Sequence, residues 1–334
     1  MFRWTPQAVD CNLCGEDRSA LLFAQDQHGL GLHTVMCRSC GLIYLDPRPS
    51  GPDYEEFYRH WYHRLYPARA AFNSGRLGRR ITAETARRRC LSYASYLCPD
   101  MGLLEAGPGD GAFLEAVSAV HPQSRVRGVD LSSTETEACR RKGLDAVCGQ
   151  LEDLPERYSE NTHVALFHVL EHALDPLAML RQVARRLHPG GYLLLEVPNA
   201  LGSWQGLGMI HLAHPYLFAP ATLGRMLNLA GFEVVQLDAL EEPLFQSSIR
   251  AVARSRTGPV RQDLPEMPGV EAVQRLFAGK LLGWRRELFW GRTKRRILPW
   301  LAPSLAAVFW ERISGRQWAE VLARGCPPSS PRQA

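Results

Sequence analysis

The fold of this chain is decided by the stretch Leu103-Leu104-Glu105-Ala106-Gly107-Pro108-Gly109-Asp110-Gly111-Ala112-Phe113-Leu114. Its first residues predict a short buried strand, and three glycines at alternate positions predict a tight turn. A helix over Ala112–Val120 follows, and its unpaired N–H groups face whatever binds at the turn. The G-x-G-x-G spacing is one residue shorter than the dinucleotide fingerprint, and the Glu105 carboxylate disfavours a pyrophosphate. The pattern therefore favours a ligand with an anionic and a cationic group, such as an amino acid, although such turns also occur without a ligand.

Further strands alternate with helical patterns after this turn. Short apolar runs predict four more strands, at 124–131, 145–148, 164–167 and 192–198. Strands that alternate with helices predict an α/β fold with a Rossmann-like, open and mostly parallel sheet that carries helices on both faces. In such a sheet, ligands bind at the carboxyl ends of the strands.

Two polar segments end the second and third strands. Asp130 follows Gly111 by nineteen positions, and a carboxylate at that place commonly accepts both ribose hydroxyls of a nucleoside. Residues 149–155 form a polar turn at the same edge of the sheet, where an adenine ring would lie.

With these motifs the chain resembles the class I S-adenosylmethionine-dependent methyltransferases. The segments that carry the resemblance are Glu105-x-Gly107-x-Gly109-x-Gly111, Asp130, Glu152-Asp153-Leu154-Pro155, Val169-Leu170-Glu171-His172, Leu187-x-Pro189-Gly190-Gly191, His214-Pro215-Tyr216-Leu217-Phe218 and Ala230-Gly231-Phe232-Glu233-Val234. The resemblance covers about half of the chain and implies S-adenosylmethionine as cofactor. The cofactor-binding residues that it implies are Glu105, Gly107, Gly109, Gly111, Asp130, Leu131, Gln150, Leu151, Glu152 and His168.

Three residues depart from the family pattern. Glu105 stands where aspartate is usual, and His163 stands before the fourth strand where the family usually has an aspartate. Gln150 replaces an acidic residue that often meets the adenine amino group, although a side-chain amide can also accept that hydrogen bond.

Four cysteines near the amino terminus form two C-x-x-C-G knuckles, Cys11/Cys14 and Cys37/Cys40. This spacing is typical of a zinc ribbon, in which four thiolates close a structural Zn²⁺ site and metal binding supplies folding energy. A redox pair or an iron site is the alternative. The predicted organisation is a zinc ribbon at 1–50, a helical cap or linker at 51–98, a cofactor-binding core at 99–250 and a basic helical extension at 251–334.

The ribbon ahead of the core resembles the layout of sugar and natural-product methyltransferases. The sugar C-methyltransferases carry a further large carboxyl-terminal domain that this chain is too short to hold. We therefore expect methyl transfer to oxygen, or nitrogen, of a small molecule such as a saccharide or a lipid-linked intermediate.

Three histidines are candidates for a general base, since imidazole titrates near neutral pH. His214 is the first choice because the loop after the fifth strand usually covers the acceptor. His168 lies nearest the end of the fourth strand, and His172 is the third candidate, with support of the following helix as its alternative role.

The cap and the carboxyl-terminal extension each allow two interpretations. The aromatic residues between Tyr54 and Tyr66 recur at helical spacing, which favours core packing, although one or two tyrosines could close over the cofactor pocket. Arginine and tryptophan after residue 250 favour a helical extension packed on the core, with peripheral contact at a membrane surface as the alternative. Residues beyond Cys326 are expected to be disordered.

Bulk composition narrows the location and the partners. A hydrophobic content of 46%, 22% charged residues and a net charge of +5 are ordinary for a globular protein. We see no secretory signal in Met1–Asp10, and the apolar run 297–310 is too short for a membrane span, so a cytoplasmic protein is expected, with contact at the inner membrane face as an option.

An RNA methyltransferase is the rival function, but the chain has no Asn-Pro-Pro-Tyr-type motif after the fourth strand, and nucleic acid is not an expected partner. A cofactor-binding scaffold without catalysis is the second rival, which the change at His163 keeps open.

Overall fold

The computed structural model describes most of the chain up to residue 280. The described residues are 3–24, 31–62, 76–202, 209–241, 247–256 and 262–280. The chain divides into the units Met1–Leu281 and Leu282–Ala334, and the second unit lies outside the described residues.

The amino-terminal unit is a small antiparallel sheet. It consists of β1 (Ser19–Phe23), β2 (Thr34–Cys37) and β3 (Ile43–Leu45), with β1 and β3 on either side of β2. The two cysteine knuckles lie in the turns before β1 and after β2.

Two helices follow the small sheet. The first, α1 (Gly51–Glu56), begins with a capping box in which Ser50 accepts from the Asp53 N–H and Asp53 accepts from the Ser50 N–H. A π-helical turn, Phe57–Trp61, continues it, and α2 (Arg76–Ser92) precedes the main sheet. Tyr54 and Phe57 are buried, as the periodicity predicts, whereas Tyr58 is exposed.

A seven-stranded sheet with flanking helices forms the core. Its elements in chain order are β4 (Gly102–Ala106), α3 (Ala112–Val120), β5 (Arg125–Asp130), α4 (Ser133–Arg141), β6 (Asp145–Cys148), β7 (Asn161–Phe167), α5 (Pro176–Arg186), β8 (Leu187–Pro198), β9 (Tyr216–Leu217), α6 (Pro220–Leu229), β10 (Phe232–Leu240) and β11 (Ser248–Ser255). The strand order is β10-β11-β8-β7-β4-β5-β6, and β9 alone joins the small sheet instead. β11 runs antiparallel to both of its neighbours, β10 and β8, and the other strand pairs of the large sheet are parallel, which confirms the predicted open, mostly parallel architecture.

Both faces of the large sheet are covered. On one face, Phe113 and Val117 of α3 pack with the region around α2 against Leu103 and Phe167. The other face packs against α5 and α6. Because both faces are buried, the central strands contain continuous apolar runs such as Val164–Phe167 and Leu193–Leu195 instead of a regular alternation with polar residues.

The sheet extends further than the sequence pattern predicts. The predicted core ends at 250 and a helical extension is predicted from 251, but β10 and β11 form an antiparallel hairpin through Ser255. The predicted boundary at 250 therefore falls inside β11 and is wrong. The error has a physical cause: the contact that holds Arg250 in the sheet is distant in sequence, since its guanidinium donates to the Glu196 carboxylate on β8.

The rest of the predicted extension is described only in part. Residues 270–280 are helical, and the basic tryptophan-rich segment, the tail beyond Cys326 and the predicted membrane contact lie outside the described residues. Within the part of the chain that the structure describes, every helix is too short or too polar to cross a bilayer.

A short strand that follows the central strands in the chain, β9, completes the small sheet. The backbone of β9 pairs with β3, with Ile43 opposite Leu217 and Tyr44 opposite Tyr216. The Leu45 N–H also donates to the Pro215 carbonyl at 2.9 Å. The cysteine-containing unit therefore holds the segment that directly follows His214.

Candidate functional site

The glycine turn joins β4 to α3 in a left-handed backbone conformation. Gly107, Gly109 and Gly111 have φ values of 70°, 54° and 77°, which side-chain-bearing residues rarely adopt. A Cβ on Gly107 would lie 2.5 Å from Val169 Cγ2, and one on Gly111 would lie 2.5 Å from Leu144 Cδ1. A Cβ on Gly109 would meet nothing within 4 Å. The middle of the turn thus borders open space beside the first turn of α3, as a ligand cradle requires.

Glu105, the penultimate residue of β4, is a buried carboxyl group. Its side chain is 3% exposed, and Oε2 has no hydrogen-bond partner among the described residues. Burial raises the pKa of Glu105 to about 8, against the lowering effect of Arg89 and with a further increase from Asp110 and Asp130. A buried carboxyl with an unused oxygen is a binding position for a cationic group.

Asp130 lies beside the same turn. It ends β5, the strand next to β4, and Ala106 is opposite Val129 in the register. Its Oδ1 accepts from the Ser132 N–H at 2.8 Å. Burial raises the pKa of Asp130, whereas hydrogen bonds from the backbone of Ser132 and Gly109 lower it. The structure therefore brings Glu105, the glycine turn and Asp130 together.

The next segments supply the outer wall. Leu131 is 75% exposed, so its apolar side chain is available to a ligand. The Gly149 N–H donates to the Asp130 carbonyl at 3.0 Å, which sets the turn after β6 against the end of β5. Gln150 and Glu152 are exposed in this turn, whereas the Leu151 side chain lies in the core.

Histidines and a glutamate gather at the end of β7, on the other side of the glycine turn. The segment is tied to that turn through Val169, which contacts Gly107. One ligand-type atom from each of Glu171, His172 and His214 lies within 4.8 Å of the other two. We call these three residues the Glu–His–His cluster. The ring centroids of His172 and His214 are 4.8 Å apart.

Backbone carbonyls orient both histidines of the cluster. His172 Nδ1 is 2.6 Å from the Ala213 carbonyl oxygen, and His214 Nδ1 is 3.0 Å from the Met209 carbonyl oxygen. Because a carbonyl only accepts, Nδ1 carries the proton in each neutral ring and Nε2 carries the lone pair. The hydroxyl of Tyr58, one of the aromatic residues between Tyr54 and Tyr66, donates to the Ala213 carbonyl oxygen at 3.4 Å.

His168 links the cluster to the sheet. Its φ of +57° is strained for a residue with a side chain. Its N–H donates to the Glu196 carbonyl at 2.8 Å, and its Nδ1 lies 3.3 Å from Glu171 Oε1. Burial raises the pKa of Glu171, but the His168 hydrogen bond and the charges of His172 and His168 outweigh it, so the pKa of this carboxyl is lowered overall.

Several site residues were not predicted from the sequence. Glu171 stands next to His172 in the segment Val169-Leu170-Glu171-His172, and that position beside a candidate base was the available signal. Arg89 and Arg250 form ion pairs with Glu196 at 2.7 and 3.1 Å. No local pattern marks these two arginines, since they lie 107 and 54 positions from their partner.

The departure at His163 has a structural explanation. Its Nε2 is 2.8 Å from the Tyr96 carbonyl oxygen, its ring stacks on Tyr192, and the side chain is buried. The residue lies near the start of β7, at the opposite end of the strand from His168. The change therefore does not touch the site, and it no longer argues for a scaffold without catalysis.

The four predicted cysteine ligands also converge. The sulfur atoms of Cys11, Cys14, Cys37 and Cys40 all lie within 4.8 Å of one another. Cys11 Sγ and Cys40 Sγ are 3.4 Å apart, and Cys14 Sγ and Cys37 Sγ are 3.5 Å apart. Sulfur–sulfur separations of this size fit tetrahedral coordination with metal–sulfur bonds of about 2.3 Å.

Comparison with known proteins agrees with this geometry. A family described as methyltransferase domain matches residues 55–237, which is more than half of the chain. Residues of the chain are 31% identical over 106 positions to the mitochondrial ubiquinone biosynthesis O-methyltransferase of Candida albicans, covering 29% of this chain and 32% of that protein. They are 30% identical over 166 positions to the malonyl-[acyl-carrier protein] O-methyltransferase of Alcanivorax borkumensis, covering 45% of this chain and 55% of that protein.

Among solved structures, an S-adenosylmethionine-dependent methyltransferase from Archaeoglobus fulgidus matches with a TM-score of 0.46 and 19% identity, covering 58% of this chain and 100% of that one. The chain spans between about a third and about half of the length of the curated relatives it matches.

The raised pKa of Glu105 predicts a pH-dependent stability. The folded state holds this proton more tightly than the unfolded chain does, so the stabilising contribution is present below pH 4.5 and is lost as the pH rises through about 8. Relative to a Glu105→Gln variant, the ligand-free wild type should lose several degrees of unfolding temperature over that window, since about 1 kcal/mol moves Tm by ~2–4 °C at this size. Thermal unfolding of both proteins across the window measures the difference. A difference in unfolding temperature between the two proteins that stays constant across this pH window would mean that folding does not shift the pKa of Glu105.

Proposed function

We propose that this chain, which belongs to the methyltransferase domain family and is an S-adenosylmethionine-dependent methyltransferase, transfers the methyl group to an oxygen of a small hydroxylated metabolite. The observation that carries the proposal is the Glu–His–His cluster beside the glycine turn, which provides imidazole lone pairs where an acceptor would meet the cofactor. The relatives named as O-methyltransferases support oxygen as the acceptor atom. The ribbon layout supports a saccharide or natural-product intermediate, free or lipid-linked.

The residues at the glycine turn fit the cofactor. The unused Oε2 of Glu105 would accept from the ammonium of the methionine part, and the N–H groups of the turn would face its carboxylate. Asp130 would accept from the ribose hydroxyls, and Leu131, Gln150 and Leu151 would border the adenine. The bound cofactor supplies an electrophilic methyl group on a sulfonium.

The rest of the chemistry is positioning and proton removal. Displacement at the methyl carbon requires the acceptor oxygen in line with the carbon–sulfur bond, and most of the acceleration comes from holding the two in contact. His214 is 5% exposed, and its Nδ1–H is held by the Met209 carbonyl, so Nε2 is oriented to take the hydroxyl proton. His168 and His172 remain the alternative positions for that proton.

We also propose that the four cysteines hold a structural Zn²⁺. The site is closed, since four sulfurs complete a tetrahedron and leave no position for a substrate. Its role follows from the β3–β9 pairing, because the segment after His214 is a strand of the small sheet. Asn12, between the two cysteines of the first knuckle, donates to Asp175 at the start of α5 and accepts from the Leu177 N–H.

Removal of the Asp130 charge should weaken cofactor binding. An Asp130→Asn variant retains the shape of the side chain but can no longer offer a charged acceptor to two hydroxyls, which costs about 1.5–3 kcal/mol. The dissociation constant for S-adenosylhomocysteine, measured by calorimetry, should rise by about one to two orders of magnitude. Glu137→Gln on the exposed side of α4 is the matched control and should bind as wild type does. Equal affinity in both variants would remove Asp130 from the cofactor site.

His214→Asn should separate catalysis from cofactor binding. Loss of the base should lower kcat by about 10²–10⁴-fold, while cofactor affinity stays near the wild-type value because His214 lies on the acceptor side. The control is His188→Asn, at an exposed position near the start of β8. The acceptor for the assay is identified first, as the compound in a cell extract that becomes labelled when wild-type enzyme transfers a labelled methyl group to it. A His214→Asn enzyme with wild-type turnover on that acceptor would exclude His214 as the base.

Loss of a cysteine ligand should weaken the pairing between β3 and β9, the strand that follows His214. Cys14→Ser should abolish the bound zinc measured by elemental analysis, and hydrogen exchange at residues 216–217 should accelerate while β4 remains protected. Cys98→Ser, at an exposed cysteine outside the knuckles, should retain the zinc and the protection. Full protection of 216–217 in metal-free Cys14→Ser would show that the small sheet does not depend on zinc.

A further inference from the structure

The Glu–His–His cluster has the composition of a metal centre. Two imidazoles and one carboxylate form the ligand set found in zinc hydrolases and in non-haem iron sites. One ligand atom from each residue already lies within 4.8 Å of the others, and Glu171 and His214 are buried. Bonds of about 2.0–2.2 Å to a shared ion place such atoms roughly 3.0–3.6 Å from one another, which is within the 4.8 Å limit that these three atoms satisfy.

The surroundings of the two histidines match those of metal ligands. A histidine that binds a metal commonly donates its other ring N–H to a backbone carbonyl, which fixes the tautomer and the ring orientation. Both cluster histidines have this arrangement, with His172 Nδ1 on the Ala213 carbonyl and His214 Nδ1 on the Met209 carbonyl. Nε2 is then the coordinating atom in each ring.

Glu171 is an independent observation that points to a cation. The residue is 2% exposed, and its Oε2 has no hydrogen-bond partner among the described residues. Its Oε1 lies 3.3 Å from His168 Nδ1, so one oxygen is oriented by a neighbour while the other remains unused. Burial of an unused carboxylate oxygen is costly unless a ligand compensates it.

We propose that Glu171, His172 and His214 bind a divalent transition-metal ion of the Zn²⁺, Mn²⁺ or Fe²⁺ type, with coordination positions left for the acceptor oxygen. Nitrogen donors favour these ions over Ca²⁺ and Mg²⁺. The site is distinct from the four cysteines in ligand type and in being open.

The role of this ion rests on the proposed function. An acceptor hydroxyl bound to the ion loses its proton to solvent more readily, because the cation stabilises the alkoxide. The alkoxide oxygen then forms a bond to the methyl carbon as the carbon–sulfur bond breaks, and the electron pair of that bond stays on sulfur as the neutral thioether. With the ion bound, His214 is a ligand, and the ion replaces the imidazole in ionising the hydroxyl.

Direct metal binding tests the site without an acceptor. Full-length protein with a zinc-filled ribbon is titrated with Mn²⁺, and free Mn²⁺ is followed by electron paramagnetic resonance. Wild type should bind one Mn²⁺ per chain. Removal of a ligand in His172→Gln or Glu171→Gln should raise the dissociation constant by at least about tenfold, while the exposed-site control His188→Gln should not change it. His172 is half-buried, so His172→Gln decides the test if Glu171→Gln fails to fold.

The outcomes separate the site from the function. Equal Mn²⁺ binding in wild type and His172→Gln, or none in wild type, overturns the metal site. Mn²⁺ binding that His172→Gln abolishes supports the metal site, even if labelled-methyl assays find no acceptor and the proposed function fails. Turnover by wild type that is unchanged after removal of all metal outside the ribbon overturns the role of the ion in catalysis and leaves the proposed function with His214 as base.

Discussion

Close packing against the glycine turn is the constraint on which the site depends. Val169 occupies the volume that a Cβ on Gly107 would need, and Leu144 occupies the volume beside Gly111. The first contact brings the segment with the Glu–His–His cluster to the turn, and the second brings the region between α4 and β6. A side chain at either glycine would collide in a tightly packed interior and would also be strained at positive φ. The same contacts that permit the fold therefore hold the acceptor side and the cofactor side of the site next to each other.

Buried carboxylates at this edge of the sheet fall into two groups. Glu196 is neutralised within the protein by Arg89 and Arg250, and the pKa of this carboxyl is lowered in spite of burial. Glu105 is close to Arg89 without a hydrogen bond from it, and burial raises its pKa. Removal of a partner from a buried, paired carboxylate leaves an uncompensated charge and is strongly destabilising, whereas a buried carboxylate with an unused oxygen is costly until a ligand compensates it. The contrast between Glu196 and Glu105 thus separates a structural position from a binding position on adjoining parts of one sheet.

Local signals explain what the sequence predicts well. The helix Ala112–Val120 and the strand Asp145–Cys148 have the predicted bounds, because each is delimited by glycine and has a clear apolar pattern. The cysteine knuckles converge as their spacing predicts. The helix and the strand depend on contacts within about ten residues of the chain, whereas the knuckles meet across 23 and 29 positions and were predicted from their metal-ligand spacing.

Contacts between distant parts of the chain explain what could not be predicted. β11 was missed because the partner that makes Arg250 a strand residue is Glu196, which lies 54 positions earlier. The pairing of Tyr44 with Tyr216 joins residues more than 170 positions apart, and neither short strand has a pattern that names its partner. Glu171 reads as one more charge in a loop until the fold places it beside His214. Pairing and burial of this kind come from tertiary structure, which periodicity does not encode.

Strand β9 gives the amino-terminal unit a role in the site, because it is the fourth strand of the small sheet and lies next to His214 in the chain. A unit of about forty residues with little apolar core needs another source of folding energy, and four converging thiolates provide a place for it. That energy is not confined to the unit, because β9 is at once its fourth strand and the continuation of His214-Pro215. Folding of the small sheet therefore restricts the backbone that carries His214, and it does so from outside the cofactor-binding core. A closed sulfur site suits this purpose, since its ligands have no substrate to bind and can be held rigid. The proposed site of two nitrogens and one oxygen would suit the opposite purpose of meeting an exchanging acceptor, and its ligand His214 is followed after one residue by the strand that pairs with β3.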